Sequence, residues 1–257
     1  MRTKLAIAIL VAASLVLAAP SPAELVQRNG VRVTFGGEMS PQRLPREGAA
    51  PIAVSIAAEI EPVGKGRPPQ LRKISIAINR FGEIDSTGLP VCRIADIQPS
   101  TSAKARQACG DALVGSGSFS ARVLLPEQTP FPSAGKILAF NGVHEGKPAI
   151  LAHVYGTSPA PTSFTMPFVI GASKSEFGTT LTARLPEVTS EWGYVTGLEL
   201  NLNRRYRWAG RARSYVSAGC PAPKGYPGAI FPFAKASFGF KGFTLGSVVT
   251  RSCKARG

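Results

Sequence analysis

The sequence predicts an all-β protein, built as a single domain of the β-sandwich or jelly-roll type with one short helical turn. Two observations support this fold class. Apolar residues alternate with polar ones along most of the chain, which is the period of a half-buried strand. In addition, 27 glycines and 22 prolines interrupt these runs at short spacing. Many short strands separated by turns are typical of a sandwich or of a wide closed sheet, and of these we expect the sandwich.

The alternating runs can be followed along the whole chain. The first is Val31–Phe35, and the clearest is Ile52–Ile60. The others cover residues 74–78, 119–125, 136–141, 149–155, 163–170, 179–185, 194–202, 234–240 and 246–253. The segment Asn141–Lys147 contains Asn-Gly and lies between two runs, so it predicts a hairpin loop.

One stretch departs from the period of two. Residues Ser102–Ala108 favour a helix, with a serine or threonine available as its N-cap. The stretch lies between Cys92 and Cys109, so we expect a helical turn held in place by a disulfide.

The N-terminal residues 1–23 are typical of a secretory signal peptide. Arg2 and Lys4 precede the apolar run Leu5–Ala18, and Ser21-Pro22-Ala23 fits the small-x-small pattern of a cleavage site. A membrane anchor is the alternative, but the run is short of the roughly 20 residues that span a bilayer. We therefore expect cleavage before Glu24.

Cleavage would leave a mature chain of 234 residues. We expect an N-terminal strand and linker over residues 24–51 and the sandwich domain over residues 52–257. No later segment is apolar over a length that would cross a membrane, so the mature chain is expected to have no membrane span. The predicted location is the extracellular space or the cell envelope.

Four cysteines in an exported chain suggest two disulfides. Three pairings are possible. We favour Cys92 with Cys109 and Cys220 with Cys253, because each pair brackets a compact segment. A zinc site is the alternative, but the chain has no CxxC and its two histidines lie far from the cysteines in sequence. No metal and no cofactor are predicted.

The formal net charge is +15, and arginine outnumbers lysine by 19 to 11. Such a charge favours polyanions in general through an attraction that salt weakens. It does not point to a specific nucleic acid. Outside a cell the candidate partners are an anionic envelope polymer and an acidic polysaccharide.

The segment Asn203–Tyr215 contains five arginines and three aromatic residues. If it is extended, period two places a set of candidate ligand-binding residues on one face: Arg205, Arg207, Arg211, Arg213 and Tyr215. Tyr206 and Trp208 would then point the other way. Gly210 marks a turn or bulge, so the two halves form either neighbouring strands or one bent strand. The arginines form a single row only if the alternation of faces continues in phase across Gly210. A plain solvated strand face is the alternative.

Residues suited to catalysis are scarce. The mature chain has three aspartates and two histidines, His144 and His153, and it contains no GxSxG sequence. No catalytic residue is predicted.

A second concentration of aromatic residues, Phe231–Phe243, carries five phenylalanines. The shared parity of Ala234, Ala236, Phe238 and Phe240 favours a place in the core over ligand stacking.

Three stretches together resemble a family of uncharacterised secreted proteins from high-GC soil bacteria: Gln70–Cys92, Ala105–Phe119 and Ser217–Phe240. The resemblance extends roughly from Gly30 to the C-terminus. It implies export and paired cysteines, and it implies no catalytic role for any residue.

The expected function is therefore non-catalytic binding of an anionic polymer or glycan, through the arginine-rich strand face, by an exported protein. Two alternatives remain open. One is a structural or surface-interaction protein without a small ligand. The other is a secreted hydrolase without a recognisable motif, in which a histidine would meet a serine and an aspartate. The sequence does not predict the oligomeric state.

Overall fold

The computed structural model describes residues 23–185 and 193–256. The predicted signal peptide lies outside these residues except for Ala23. The described chain contains strands connected by short turns, with a pair of short helices inserted once. The all-β class predicted from the sequence is confirmed, and its jelly-roll form stays a prediction.

The first half of the chain contains seven strands before the helices. They are β1 (Glu24–Arg28), β2 (Val31–Ser40), β3 (Arg43–Pro45), β4 (Ala50–Pro51), β5 (Ala53–Pro62), β6 (Leu71–Asn79) and β7 (Gly82–Ile84). The helices are α1 (Ile94–Ile97) and α2 (Ser102–Cys109), followed by a 3-10 turn over Gly110–Ala112.

The second half is formed by longer strands. They are β8 (Leu113–Val123), β9 (Phe131–His144), β10 (Lys147–Gly156), β11 (Thr162–Ala172), β12 (Phe177–Arg184), β13 (Gly193–Leu202), β14 (Arg205–Trp208), β15 (Arg211–Ser214), β16 (Val216–Ala218), β17 (Gly228–Phe240) and β18 (Phe243–Arg256).

Thirteen of these strands form one large sheet in the order β1-β2-β5-β13-β8-β9-β10-β11-β12-β6-β17-β18-β3. Neighbouring strands are antiparallel except for β18 and β3. The sheet curls so that its two edges approach each other: β1 and β2 at one edge lie against β18, the last strand but one at the other edge. Arg251 Nε on β18 donates to the carbonyl of Gly37 on β2. The rings of Phe35 and Phe238 meet edge to face across the inside, with centroids 6.1 Å apart.

The concave face of the curled sheet encloses the main core. Residues from both ends of the chain are fully buried there, including Val31, Val33 and Phe35 on β2 and Val249 on β18. The N-terminal strand expected over residues 24–51 is thus part of the same sheet as the rest. The linker expected in that range contains β3 and β4, which pair with β18 and β16.

A second, smaller core lies on the outer face of β9 and β10, beneath α1 and α2. Leu138, Phe140 and Leu151 point outward into it and meet Ile97 and Ala105. Strands β9 and β10 are therefore buried on both faces, which explains the continuous buried run Ile137–Gly142.

The helix predicted over Ser102–Ala108 is confirmed as α2. Its N-cap is Thr101, whose side chain accepts a hydrogen bond from Lys104 N. The disulfide Cys92–Cys109 ties α2 to the segment before α1. The second bridge, Cys220–Cys253, ties the chain after β16 to β18. Both bridges have the sequential pairing that the sequence predicts.

A small sheet in the order β4-β16-β7 lies at the end of the curled sheet where β13 ends. Val216 on β16 lies opposite Ile84, and Ser217 lies opposite Pro51. Side chains from this small sheet, from the start of β5 and from the end of β13 pack together there. These side chains leave a space of only about 40 Å³, so this end of the molecule is nearly filled.

Candidate functional site

The opposite end of the curled sheet encloses a cavity of about 520 Å³. Pockets that bind small molecules typically measure about 300–1,000 Å³. Its walls come from the end of β5, the start of β6, and the turns that join β8 to β9 and β10 to β11. The concave face thus carries a packed core at one end and a cavity at the other.

The walls of the cavity are apolar because the inward-facing positions of the strands carry apolar side chains. The deeper ones, Ile74, Val154 and Met166, are buried. Those nearer the mouth, Phe119 and Phe164, are only half-buried, and their rings meet edge to face with centroids 5.5 Å apart. Large apolar side chains that stay accessible on a concave surface are a common feature of ligand sites.

Small residues leave space between the larger side chains. Ala121 on β8 lies opposite Ser133 on β9, and Gly135 on β9 lies opposite Gly156 on β10. A Cβ atom added to Gly135 would come within 2.6 Å of the Tyr155 carbonyl oxygen, so the two strands approach closely here because neither has a side chain at that level. The cavity is therefore the result of small residues that face one another on neighbouring strands.

Cationic residues lie around the mouth. Arg67 comes from the β5–β6 loop, Arg122 from β8 and Lys241 from the β17–β18 turn, and all three are exposed. Lys241 N donates to the Gln70 carbonyl at 2.9 Å, which joins that turn to the loop of Arg67. The described lining residues include these three cations and no carboxylate.

The arginine-rich segment forms a hairpin. Strands β14 and β15 pair antiparallel and are joined by Ala209 and Gly210, both with positive φ. We call it the arginine hairpin, residues 205–214. It follows the Leu202 end of β13, whereas the cavity lies at the Gly193 end of that strand. The arginine hairpin and the cavity are therefore at opposite ends of the sheet.

The expected single row of four arginines is not formed. In the hairpin register Arg205 and Arg207 lie opposite Ser214 and Ala212, whereas Tyr206 lies opposite Arg213. Odd-numbered residues of β14 pair with even-numbered residues of β15, and paired residues point to the same face. Odd-numbered residues of the two strands therefore point to opposite faces. Arg205 and Arg207 thus share one face, and the opposite face carries Tyr206, Trp208, Arg211 and Arg213.

The second of these faces packs on the segment Asp85–Gly88. Arg213 forms an ion pair with Asp85 at 2.7 Å, with both side chains about one-third exposed. The Tyr206 hydroxyl donates to the Thr87 carbonyl at 2.9 Å. The Trp208 indole lies over Gly88, where an added Cβ atom would overlap it. Arg213 therefore holds the hairpin in place, and its guanidinium is already engaged.

The pKa of Asp85 reflects this contact. Burial alone would raise it, but hydrogen bonds from Thr87 and the neighbouring Arg213 guanidinium outweigh burial and hold the pKa of Asp85 below its ordinary value. The carboxylate is thus kept ionised beside its arginine.

Tyr215 is not on the surface. It is fully buried in the core just after β15, and burial raises the pKa of its hydroxyl above the ordinary value. Its backbone N donates to the Arg204 carbonyl, and its carbonyl accepts from Asp85 N, each at 2.9 Å. Of the five residues predicted to contact a ligand, Arg205, Arg207 and Arg211 are the ones that the structure exposes.

His153 is fully buried on the outer side of β10, beneath the segment that joins α1 to α2. Its Nε2 atom lies 3.0 Å from the Ser100 carbonyl, which can only accept, so Nε2 carries the proton. Burial lowers the pKa of His153 and outweighs this hydrogen bond. His144 lies at the β9–β10 turn, 3.7 Å from the Glu145 carboxylate. Neither histidine is among the described residues that line the cavity.

Cys92, Asp96 and Cys109 place potential metal ligands within 4.8 Å of one another. Both sulfurs belong to the disulfide. A disulfide has no thiolate to bind a metal, so this cluster lacks the donor set of a zinc site.

In the described part of the chain, no helix has the length and apolar character needed to cross a membrane. Comparison with protein-family models, with curated proteins and with solved structures finds no match. The resemblance to a secreted protein family stays a prediction.

The cavity is the feature that the sequence did not predict. Its lining residues were interpreted as core because they alternate with polar residues, and the alternation of Phe119, Ala121 and Val123 is the same whether the space in front of them is filled or open. The small residues at this end of β8, β9 and β10 are the one feature of the sequence that indicates a cavity. It becomes visible only when the strand register places Ala121 opposite Ser133 and Gly135 opposite Gly156.

Proposed function

We propose that this chain is an exported, non-catalytic binding protein that holds an apolar small molecule in the cavity of its curled sheet. The observation that carries the proposal is the accessible cavity of about 520 Å³ with apolar walls. The two disulfides support export, because such bonds persist in oxidising compartments.

The physical chemistry of the walls supports an apolar ligand. Each CH₂ group moved from water into such a site contributes about 0.8 kcal/mol. Half-buried Phe119 and Phe164 would also lose their remaining exposure to water on binding. A ligand with a flexible chain or a flat ring system would therefore bind mainly through the apolar area that it buries.

The groups available for chemistry in the described lining support binding rather than bond cleavage. They are the hydroxyls of Ser133, Ser158, Thr162 and Tyr194, the amide of Gln70 and the three cations of the mouth. The Ser133 hydroxyl donates to the Ser158 carbonyl at 2.6 Å, so it is already engaged. General acid–base catalysis at neutral pH commonly uses a histidine or a carboxylate within reach of the reacting atom.

A neutral apolar dye, N-phenylnaphthylamine, tests the proposal by its fluorescence on binding. The variant Ala121→Trp fills the cavity and should weaken dye binding by about tenfold or more, because the indole occupies the ligand's space. Ala57→Trp is the matched control, since Ala57 is exposed on the outer face of β5. Equal binding by wild type and by a folded Ala121→Trp variant would contradict the proposal.

A second candidate function concerns the arginine hairpin. Arg205, Arg207 and Arg211 are exposed, and within the described chain they take part in no ion pair. Arg205 and Arg207 share one face and Arg211 lies on the other. Exposed guanidinium groups on such a hairpin suit an anionic polymer of the envelope or an acidic polysaccharide. In this form the proposal keeps three of the predicted arginines and gives Arg213 a structural role.

The test compares binding to polyphosphate and to heparin across a range of salt concentrations. The triple variant Arg205→Gln, Arg207→Gln, Arg211→Gln should bind more weakly and lower the salt slope by about two units, since fewer counterions are released. A second triple variant, Arg67→Gln, Arg122→Gln, Lys241→Gln, removes the same charge at the other end of the molecule and serves as control. If both variants behave alike, only net charge matters and the hairpin is not a site.

A further inference from the structure

The mouth of the cavity combines three features that bear on the chemical class of its ligand. The interior is apolar, the mouth carries three cations, and its described lining residues include no carboxylate. We infer that the ligand is a single-chain anionic amphiphile, a carboxylate with an apolar tail. The inference rests on the proposed function of the cavity and adds the head group.

The positions of the cations support a head group held at the mouth rather than inside. Arg122 precedes Val123, the last residue of β8, and is among the residues that line the mouth. Arg67 and Lys241 lie on neighbouring connections, which are joined by the hydrogen bond from Lys241 N to the Gln70 carbonyl. A tail seated against the Phe119–Phe164 pair would bring its polar end to the level of these side chains.

The electrostatics of the mouth favour an anion over a neutral or cationic head. Within the described residues, Arg67, Arg122 and Lys241 form no ion pair. They are exposed and keep their hydration, so the attraction is moderate and salt weakens it. The apolar tail would thus supply most of the affinity, and the charge of the head group would determine which ligands are preferred.

The cavity volume favours one chain. A space of about 520 Å³ lies in the lower half of the range for small-molecule pockets, which suits one tail rather than a lipid with two. Phe240 lies at the cavity wall and stacks on Phe243 at a centroid distance of 5.2 Å. The stacking holds the Phe240 ring in place at the cavity wall.

The test uses three ligands with the same twelve-carbon tail: dodecanoate, dodecanol and dodecylamine. Each displaces N-phenylnaphthylamine from the mature protein at low ionic strength and pH 8. Dodecanoate should bind about tenfold tighter than dodecanol, and dodecylamine more weakly than dodecanol. Added salt should reduce the preference for dodecanoate.

The variant Arg67→Gln, Arg122→Gln, Lys241→Gln should lose most of the preference for dodecanoate and keep its affinity for dodecanol. The variant Arg205→Gln, Arg207→Gln, Arg211→Gln removes the same net charge far from the cavity and should keep the wild-type preference. Equal binding of dodecanoate and dodecanol by the wild type would overturn the inference and leave the cavity function standing. Failure of the dye and of all three ligands to bind would overturn both.

Discussion

His153 is the residue whose chemistry depends most on its surroundings. It lies fully buried between β10 and the segment that joins α1 to α2, and its Nε2–H donates to the Ser100 carbonyl. Burial lowers its pKa from the ordinary 6.5, so the folded state keeps the ring neutral to lower pH than the unfolded chain does. Protonation of this side chain therefore favours unfolding.

The sign of the pH dependence follows from proton linkage. Between the lowered pKa of the folded state and pH 6.5, the unfolded chain binds more protons than the folded one. The contribution of His153 to stability is therefore present above pH 6.5 and lost as the pH falls below it. We expect the denaturant midpoint of the wild type to decrease between pH 6.5 and pH 5.

The variant His153→Gln keeps a donor for Ser100 but cannot titrate, so its midpoint should vary less over this range, whatever its absolute stability. The control His144→Gln removes a histidine from the β9–β10 turn and should keep the wild-type dependence. If the denaturant midpoint of His153→Gln falls with pH as steeply as that of the wild type, groups other than His153 cause the loss of stability.

At the level of secondary-structure elements, the arginine hairpin shows how a locally correct pattern can mislead. Period two assigns the faces within β14 and within β15 correctly, but a two-residue turn reverses the parity between them. The sequence indicated a turn at Gly210 and could not give its length. Arg213 therefore meets Asp85, a contact 128 residues away in sequence that no local pattern could reveal.

A double-mutant cycle measures how much the Asp85–Arg213 ion pair stabilises the fold. We expect a coupling free energy of about 1 kcal/mol between Asp85→Asn and Arg213→Gln, a modest value because water reaches both side chains. Arg205→Gln should change the free energy of unfolding by less than about 0.5 kcal/mol. A coupling near zero would mean that Tyr206 and Trp208 dock the hairpin without the ion pair.

Elements governed by local chemistry were well predicted. The strands follow from alternation, α2 from its threonine cap, and the disulfides from the short segments that they bracket. Helix α1, with four residues, is too short to show a helical period. The double burial of β9 and β10 also escaped prediction, because the helices that cover them are distant from most of that surface in sequence.

At the scale of the whole molecule, function depends on how completely the inward-facing side chains fill the space enclosed by the curled sheet. One end is nearly filled by packed side chains of the core and of the small sheet, and the other retains a cavity of about 520 Å³. Strand periodicity predicts which residues face inward, whereas the space between them depends on curvature and register across strands that are distant in sequence. The fold class could thus be predicted from the sequence, and the cavity could not.

The central claim is that this cavity binds an apolar tail, and a chain-length series tests it most directly. Octanol, decanol and dodecanol are neutral, so their displacement of N-phenylnaphthylamine from the wild-type protein measures the contribution of the tail to the affinity. If the tails enter the cavity, affinity should rise by up to about fourfold for each added CH₂ group until the cavity is full. Affinities that do not change with chain length would contradict the claim.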